Sequence, residues 1–529
     1  MNFLLLGSNY FKHALEELGH QVLWVGDDPS CDLRLPATRL DIPYILNRLS
    51  CSPQAVILTD DLGRRVFPSG LERTSLLKVW YAVDGPLNFF WQKEYAALFD
   101  LVLCDQKDCA ERLSEFSAQK VWWLPVGVDT KLYQGPVEEK IYDLAFVGSV
   151  NKKVRPKRYQ LLKLISDRYF VKTAGGRQGE WVSPEDAAQI YRQAKMVLNE
   201  NLFNGVTTRM FEGMASGTML LTEKAGNGLN DLFTPGEDLA DFGPYDLFDQ
   251  IEHYLINTKE RERIAVRGRE KVVSSHDIRH RAEKLISLME HARPETGVQE
   301  EGLFFRQQGK VLFLAAMRWP DHNGRSWLNR AEILLKRAEQ LNRADKDTLL
   351  YLGLIQKLRY NHQKAVAYLE NAASSGSVRA MLASGFLTLE RSNRKAAQAY
   401  FLEAIHKADG QNIVETDIFK TPSDNHILSA DQHFILGRIL EKRGYDLTPG
   451  FSRLKLGMPL WNAFEHYLQA VKLHPKHLQA LTRLGRLLTR YGAYTEAYQF
   501  LARAAEIDPQ AAKLIQEANI AGRRGYILM

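Results

Sequence analysis

Short apolar runs alternate with stretches of helical period through the first 290 residues of the chain. NFLLLG (2–7) precedes SNYFKHALEELGH. Then come QVLWVG (21–26), AVILTDD (55–61), LLKVWYAVD (76–84), DLVLCDQ (100–106) and KVWWLPVG (120–127). Short buried strands separated by helices argue for a parallel sheet with both faces covered. A second series follows GVDTKLYQGPVEEK. It contains YDLAFVGS (142–149), FVKTAGG (170–176), MVLNENL (196–202) and TMLLTE (218–223). The pattern predicts two doubly wound α/β units joined near residues 128–140.

From about residue 300 the pattern is helical alone, and it repeats. Leu352-Gly353 is followed by Ala365, Leu369 and Ala372; Gly385, 32 residues on, is followed by Ala397, Phe401 and Ala404. Leu436-Gly437 leads to Ala463, Tyr467, Ala470 and Pro475, and Leu484-Gly485 to Ala497, Leu501, Ala504 and Pro509. The Gly-to-Ala spacing is 12 in three copies and 26 in the third, so about 14 residues around DLTPGFSRLKLGMPL are inserted there. Ala331, Leu335 and Ala338 suggest an earlier, irregular copy. The arrangement resembles the tetratricopeptide pattern, in which small residues let two helices approach and each repeat needs its neighbours. A helical bundle without repeats is the alternative. The expected fold class is α/β plus all-α: two Rossmann-like domains, 1–130 and 131–298, then a helical solenoid, 299–529. A cut near residue 300, placed after a helix at 280–292 that could return to the first domain, is expected to leave the α/β part folded.

The stretch GVTTRMFEGMASGTMLLTE (205–223) runs from a helix into a strand and holds Gly213, Ala215 and Gly217. Glycine inside a helix costs about 1 kcal/mol against alanine, so close backbone approach is expected. A helix starting near Thr207, capped by Thr207 or Thr208, puts Met210, Phe211 and Met214 on one face. Arg209, Glu212, Gly213 and Ser216 share the other. The apolar face is expected on the sheet. The polar face then looks into the cleft at the carboxyl ends of the strands, where open α/β sheets bind ligands. The helix N-terminus suits a diphosphate, and a carboxylate one turn in suits the two hydroxyls of a ribose. The alternative is a plain surface pair of Arg209 and Glu212 at i, i+3.

These residues carry a family resemblance. RMFEGMASGTMLLTE resembles the donor-binding signature of GT-B glycosyltransferases, in particular the CgeB-like group, roughly R-x-F-E-x-x-A-x-G-x-x-L-L-T. YDLAFVGS resembles the opening of the donor domain, LPVGVD (124–129) the interdomain crossing, and WYAVDGPLNFFWQKEYAALFDLVLCDQKD an acceptor-domain segment. DLFTPGEDLADFGPYDLFDQIEHYLINTKERERIAVRGREKV resembles the tail after the signature, so the likeness covers about residues 1–290. It implies that Glu212 binds the ribose of a nucleotide sugar. Arg209 and the N–H groups of Gly205, Val206, Thr207 and Thr208 would hold the diphosphate. Gly148 and Ser149 would let the backbone approach the leaving phosphate. Many retaining members carry another glutamate eight residues before this one; here that position is Asn204, and Glu200 lies four residues earlier. The sugar contact and the stereochemical outcome stay open.

The implied chemistry is hexosyl transfer without a metal ion, with the nucleotide sugar as substrate and no cofactor. CgeB-like proteins are associated with bacterial surface and spore-coat glycosylation. The resemblance therefore implies a bacterial surface protein or glycan as acceptor, bound through the repeats. Two alternatives are a scaffold whose GT-B module binds nucleotide without turnover, motivated by Asn204, and a nucleotide-sugar epimerase.

Other residues allow two readings each. Asp84 ends a strand before GPLN, as a general base in the cleft or as a loop cap. Arg155 and Arg158 follow the FVGS loop, to neutralise a leaving diphosphate or as a solvated basic turn. GGRQGEW (175–181) is a loop that could border the nucleotide base. Asp345 and Asp347 in DKD match a metal-holding carboxylate pair but sit at a repeat helix, which argues for a solvated loop. His13 is expected to pack or face solvent.

Composition narrows the setting. The chain of 529 residues is 45% hydrophobic and 25% charged, as expected for several globular domains rather than a disordered chain. Its four cysteines, Cys31, Cys51, Cys104 and Cys109, form no CxxC pair, and no signal-peptide or membrane-spanning run is seen, so a cytoplasmic protein is expected. Residues 301–529 hold 32 Lys+Arg against 21 Asp+Glu, and residues 1–300 hold 37 against 42. The excess fits an anionic partner or a solvated helical surface. Basic residues interleaved with aromatics are lacking, so nucleic acid is not expected as a partner.

Overall fold

Two parallel sheets form from the apolar runs. β1 (Asn2–Gly7), β2 (Gln21–Gly26), β3 (Leu33–Arg34), β4 (Ala55–Thr59), β5 (Leu77–Ala82), β6 (Leu101–Cys104) and β7 (Lys120–Trp123) pair in the order β3-β2-β1-β4-β5-β6-β7. β8 (Tyr142–Val147), β9 (Val171–Ala174), β10 (Ala194–Asn199), β11 (Met219–Glu223) and β12 (Ala240–Phe242) pair as β12-β11-β10-β8-β9. Every ladder is parallel. Such strands are covered on both faces, and Leu4, Leu5, Leu6, Val56, Ile57, Val197 and Leu198 are all buried. Strand order reverses between β1 and β4, and again between β8 and β10. The computed structural model describes residues 1–49, 52–60, 65–116, 120–152, 155–175, 181–201, 205–243, 246–294, 301–319, 323–391, 393–408, 428–442, 462–490, 494–509, 513–514 and 516–519.

The chain crosses between the sheets twice. The helix Ile278–Glu290 is capped by Asp277, whose Oδ2 also accepts bonds from Thr130 N (3.0 Å) and Thr130 Oγ1 (2.6 Å) at the outward crossing. Ile278, Ala282, Leu285, Leu288 and Met289 share a core with Phe3, Leu5, Phe11 and Leu15. The return helix expected at 280–292 therefore packs on the first sheet. Loops at the carboxyl ends of both sheets meet between them: Gln106 bonds Val206, Asp108 bonds Asn227, and Lys107 Nζ lies 3.0 Å from Asp231.

The helical part consists of antiparallel pairs. Glu301–Arg318 packs with Arg325–Leu341, Lys346–Leu358 with His362–Ser374, Val378–Glu390 with Arg394–Ala408, Ala430–Lys442 with Ala463–Leu473, and Leu478–Arg490 with Tyr494–Ile507. The repeated glycines explain the close approach. A Cβ at Gly309, Gly353, Gly385, Gly437 or Gly485 would come within 3 Å of Leu335, Leu369, Phe401, Tyr467 or Leu501 respectively. The irregular copy at Ala331, Leu335 and Ala338 is thus a true pair, with Gly309 as its glycine. The insertion around DLTPGFSRLKLGMPL lies outside the described residues.

The pairs do not hang free of the α/β part. The helix Glu301–Arg318 lies against the helix Gly85–Tyr95. Phe67, Trp80, Trp91 and Tyr95 form one continuous core with Phe304, Leu312, Trp327 and Leu335. Lys310 Nζ sits 2.8 Å from Glu94 Oε2 and 3.1 Å from Asp347, and Gln308 and Arg330 bond the carbonyls of Pro68 and Phe67. A cut near 300 would bare this aromatic face, which weighs against the expectation that the α/β part stands alone. DKD is corrected. Asp345 caps a helix and pairs with Arg306 at 2.8 Å, and Asp347, its side chain 35% exposed, pairs with Lys310, so both carboxylates have structural partners at a helix start that is only partly solvated. Among the described residues no helix is long and apolar enough to cross a membrane. Cys31, Cys104 and Cys109 are free thiols.

Candidate functional site

The site builds at the strand-order reversal of the second sheet. The helix Thr208–Ala215 follows β10, with Thr207 at its N-cap. The Thr207 hydroxyl does not cap; it donates to Asn199 Oδ1 at 2.9 Å. The first-turn N–H groups consequently lack that side-chain acceptor and point toward the cleft end of the helix. Met210, Phe211 and Met214 are buried, as the pattern predicts. Gly213 is on the buried side too: a Cβ there would meet Val197 of β10 at 2.9 Å. The helix thus lies directly on the strand at Gly213, which is the reason for glycine, and Gly213 does not belong to the polar face. Gly217, φ +75, ends the helix in the left-handed region.

Arg209 spans the reversal. Its Nε donates to the Val147 carbonyl at the end of β8 (2.7 Å), and its Nη1 to Asn199 Oδ1 at the end of β10 (2.9 Å). The guanidinium lies 4.0 Å from the centre of the Phe146 ring. Gly148, φ +147, leaves the space: an added Cβ would stand 2.5 Å from Arg209 Nη2. One turn on, Glu212 accepts from the Tyr191 hydroxyl at 3.1 Å and is bonded by Tyr133. The Arg209–Glu212 surface pair allowed by spacing does not form. Burial raises the Glu212 pKa, with Arg209 and the two tyrosines opposing.

Basic groups and carboxylates surround these residues. Arg158 pairs with Glu200 at 3.0 Å and donates to the Ser149 carbonyl at 3.0 Å. Lys157 holds Glu223 at 2.6 Å and approaches Glu200 at 3.9 Å. Burial works against ionisation of Glu200, but Lys157 and Arg158 outweigh it and hold the carboxyl below its ordinary range. Asn204 lies outside the described residues. Val206 is engaged: its N–H donates to Gln106 Oε1 (3.2 Å) and its carbonyl accepts from Gln106 Nε2 (3.0 Å). That backbone unit serves the interdomain contact, which corrects its expected place among the diphosphate donors and leaves Thr207, Thr208 and Arg209 nearest the helix N-terminus.

Asp84 faces this group from the first domain. It precedes the helix Gly85–Tyr95 at φ 56, and among the described residues only Asp84 and Tyr360 are non-glycines with positive φ. Its carboxylate makes no helix-capping bond, so the cap reading does not account for it. The turn is held instead by its carbonyls, with Asn88 Nδ2 on the Asp84 carbonyl (3.1 Å) and Gln92 Nε2 on that of Val83 (2.9 Å). Gly85 sits where a Cβ would meet Cys109 Sγ at 2.6 Å. Burial raises the Asp84 pKa, opposed by Arg65 and, from the second domain, by Arg155. Asp60 after β4 and Asp105 after β6 flank it. Burial and then the Asp84 charge push Asp105 up to about 7. His13 is exposed beside Glu17 and outside this cluster.

Sequence reasoning missed Tyr133, Tyr191, Asn199, Asp60, Asp105 and Gln106. Asn199 and Asp105 had a usable signal: each is a polar residue ending an apolar strand run. The tyrosines had none, because an aromatic in a helix reads as core.

A family model described as glycosyl transferase-like matches residues 140–287. The matched span holds β8 to β12 and the residues Arg155, Arg158, Arg209 and Glu212. No curated protein matches the chain. Among solved structures, sucrose-phosphate synthase of Thermosynechococcus elongatus is 13% identical, over 55% of this chain and 99% of its own, with a TM-score of 0.40. The HepE protein of Anabaena, solved with UDP-glucose, is 12% identical over 55% of this chain and 100% of its own, with a TM-score of 0.39. The pilF protein of Pseudomonas aeruginosa is 14% identical over 42% of this chain and 90% of its own, with a TM-score of 0.19.

Proposed function

We propose that the protein is a metal-independent GT-B glycosyltransferase that moves a hexosyl group from a nucleoside-diphosphate sugar to an acceptor hydroxyl. The observation that carries this reading is Arg209, bonded to the ends of β8 and β10 at a strand-order reversal, with Glu212 one turn further on. Ligands of open α/β sheets bind at that position. Glu212 accepts the ribose hydroxyls. The helix N-terminus at Thr207 and Thr208, with Arg209, receives the diphosphate, and Gly148 and Ser149 let it approach. Gly205 shapes the loop. As the bond from sugar C1 to the phosphate oxygen breaks, the leaving charge meets fixed positive groups, Arg155 among them. Asp84 takes the proton of the acceptor hydroxyl that bonds to C1. Its raised pKa suits a base better than that of an exposed aspartate.

The helical pairs are tetratricopeptide repeats in this reading. They bind the acceptor, a bacterial surface protein or glycan modified in the cytoplasm. The test is nucleotide release from UDP-, GDP-, CMP- and dTDP-sugars, with and without candidate acceptors. Acceptor-stimulated release supports transfer. Tight binding of a donor without release under any condition favours a scaffold with an inactive module.

A further inference from the structure

The donor loop and Asp84 are joined by an unbroken set of hydrogen bonds for which the transfer scheme has no use. Gln106 Nε2 donates to the Val206 carbonyl (3.0 Å) and to Asp105 Oδ2 (3.2 Å). Its Oε1 accepts from Val206 N (3.2 Å) and from Asn227 Nδ2 (3.2 Å). All four bonding positions of the amide are filled, and half a turn about its axis would set like groups against each other on every side. Asp105 Oδ2 takes a second bond, from the backbone N–H of Asp84 (3.2 Å). Gln106, Asp105, Val206 and Asn227 are all buried. Buried bonds of this kind are costly to leave unmade. They meet at a residue at φ 56, in the left-handed region that non-glycine residues adopt uncommonly.

We infer that Gln106 and Asp105 are positioning residues that tie the placement of Asp84 to the conformation of the loop 205–208. The inference rests on the reading of Asp84 as base and of that loop as donor-binding. A Gln106 that merely holds two domains together would leave Asp84 indifferent to the loop. A Gln106 that acts through Asp105 makes the base and the donor loop set or slip together.

The test is amide hydrogen exchange on the full chain, read on peptides covering residues 83–86, joined to a kinetic cycle. Without ligand, Gln106→Ala should raise exchange at Asp84 about tenfold while β1 is unchanged. Asp105→Asn keeps an acceptor for both bonds and should keep the protection; Asp105→Leu should lose it. A nucleoside diphosphate should add protection in the wild type and not in Gln106→Ala. In turnover, Gln106→Ala should lower kcat, and should lower it no further in the Asp84→Asn background. Equal exchange at Asp84 in Gln106→Ala and wild type, or a kcat loss repeated in full in that background, would overturn the inference. Should Gln106→Ala fail to fold, Gln106→Asn, one carbon too short to reach both Val206 and Asp105, replaces it with the same expected outcomes. If no nucleotide binds the wild type, the donor reading fails, and the ligand-free exchange still decides whether Gln106 positions Asp84.

Discussion

Gly148 and Asp84 show how single residues set this site. At Gly148, φ +147 and a Cβ position 2.5 Å from Arg209 Nη2 exclude a side chain. Gly148→Ala should displace the guanidinium and weaken nucleotide binding by about 1.5–3 kcal/mol, the range for hydrogen bonds to a charged group. Calorimetry checks this, and unchanged affinity would separate Arg209 from the ligand. Asp84→Asn should cut turnover by about 10²–10⁴-fold with donor affinity nearly intact. Burial raises the Asp84 carboxyl above its ordinary value of 3.8. A base works ionised, so the acid limb of kcat/KM should lie at a higher pH than a free aspartate would give. That limb should be missing from the residual activity of Asp84→Asn. Arg209 and Glu212 were legible in sequence because helical period puts both on one face. Tyr133, Tyr191 and Gln106 were not, because they come from distant segments and nothing in their local pattern marks what they touch. The strained turn at Asp84 was hidden for another reason: an aspartate before Gly-Pro reads equally well as a cap.

Among the elements, the helix Gly85–Tyr95 carries most weight, since its N-terminus holds Asp84 and its flank holds the helical part. Lys310 and Glu94 pair at 2.8 Å with side chains only 6% and 11% exposed. Lys310→Ala removes the cation shared by Glu94 and Asp347, with Lys93 and Arg379 still acting on Glu94, and should destabilise the protein by up to about 3–5 kcal/mol, read by urea denaturation. A chain ending at residue 294 should expose Phe67, Trp91 and Tyr95, each worth roughly 1.5–3 kcal/mol of burial. It should aggregate or bind the dye ANS strongly. A soluble, cooperatively unfolding fragment would show that the shared core is dispensable. The strands and helix pairs were readable from period and from the spacing of Gly353, Gly385, Gly437 and Gly485. The docking was not. Periodicity says that the apolar faces of residues 85–95 and 301–318 must be covered, and it cannot say that they cover each other.

At the scale of the whole molecule, loops at the carboxyl ends of the two sheets meet through Gln106–Val206 and Asp108–Asn227. Donor candidates line one side, the base candidate the other, and the helical pairs brace the base side. The charges that would receive a leaving diphosphate are Arg209, Arg155 and a helix N-terminus. Transfer should therefore persist in excess EDTA, and activity lost there but restored by Mn²⁺ or Mg²⁺ would require a carboxylate metal site instead. The central claim is the nucleotide site at Arg209 and Glu212, and titration calorimetry tests it most directly. The preferred nucleoside diphosphate is titrated into the wild-type chain and into Glu212→Ala. The account predicts a saturable heat for the wild type and an affinity lower by about 1.5–3 kcal/mol in the variant, whose melting transition should stay cooperative but fall, because the buried Tyr191 and Tyr133 hydroxyls lose their acceptor. Equal affinity in a folded Glu212→Ala would contradict it.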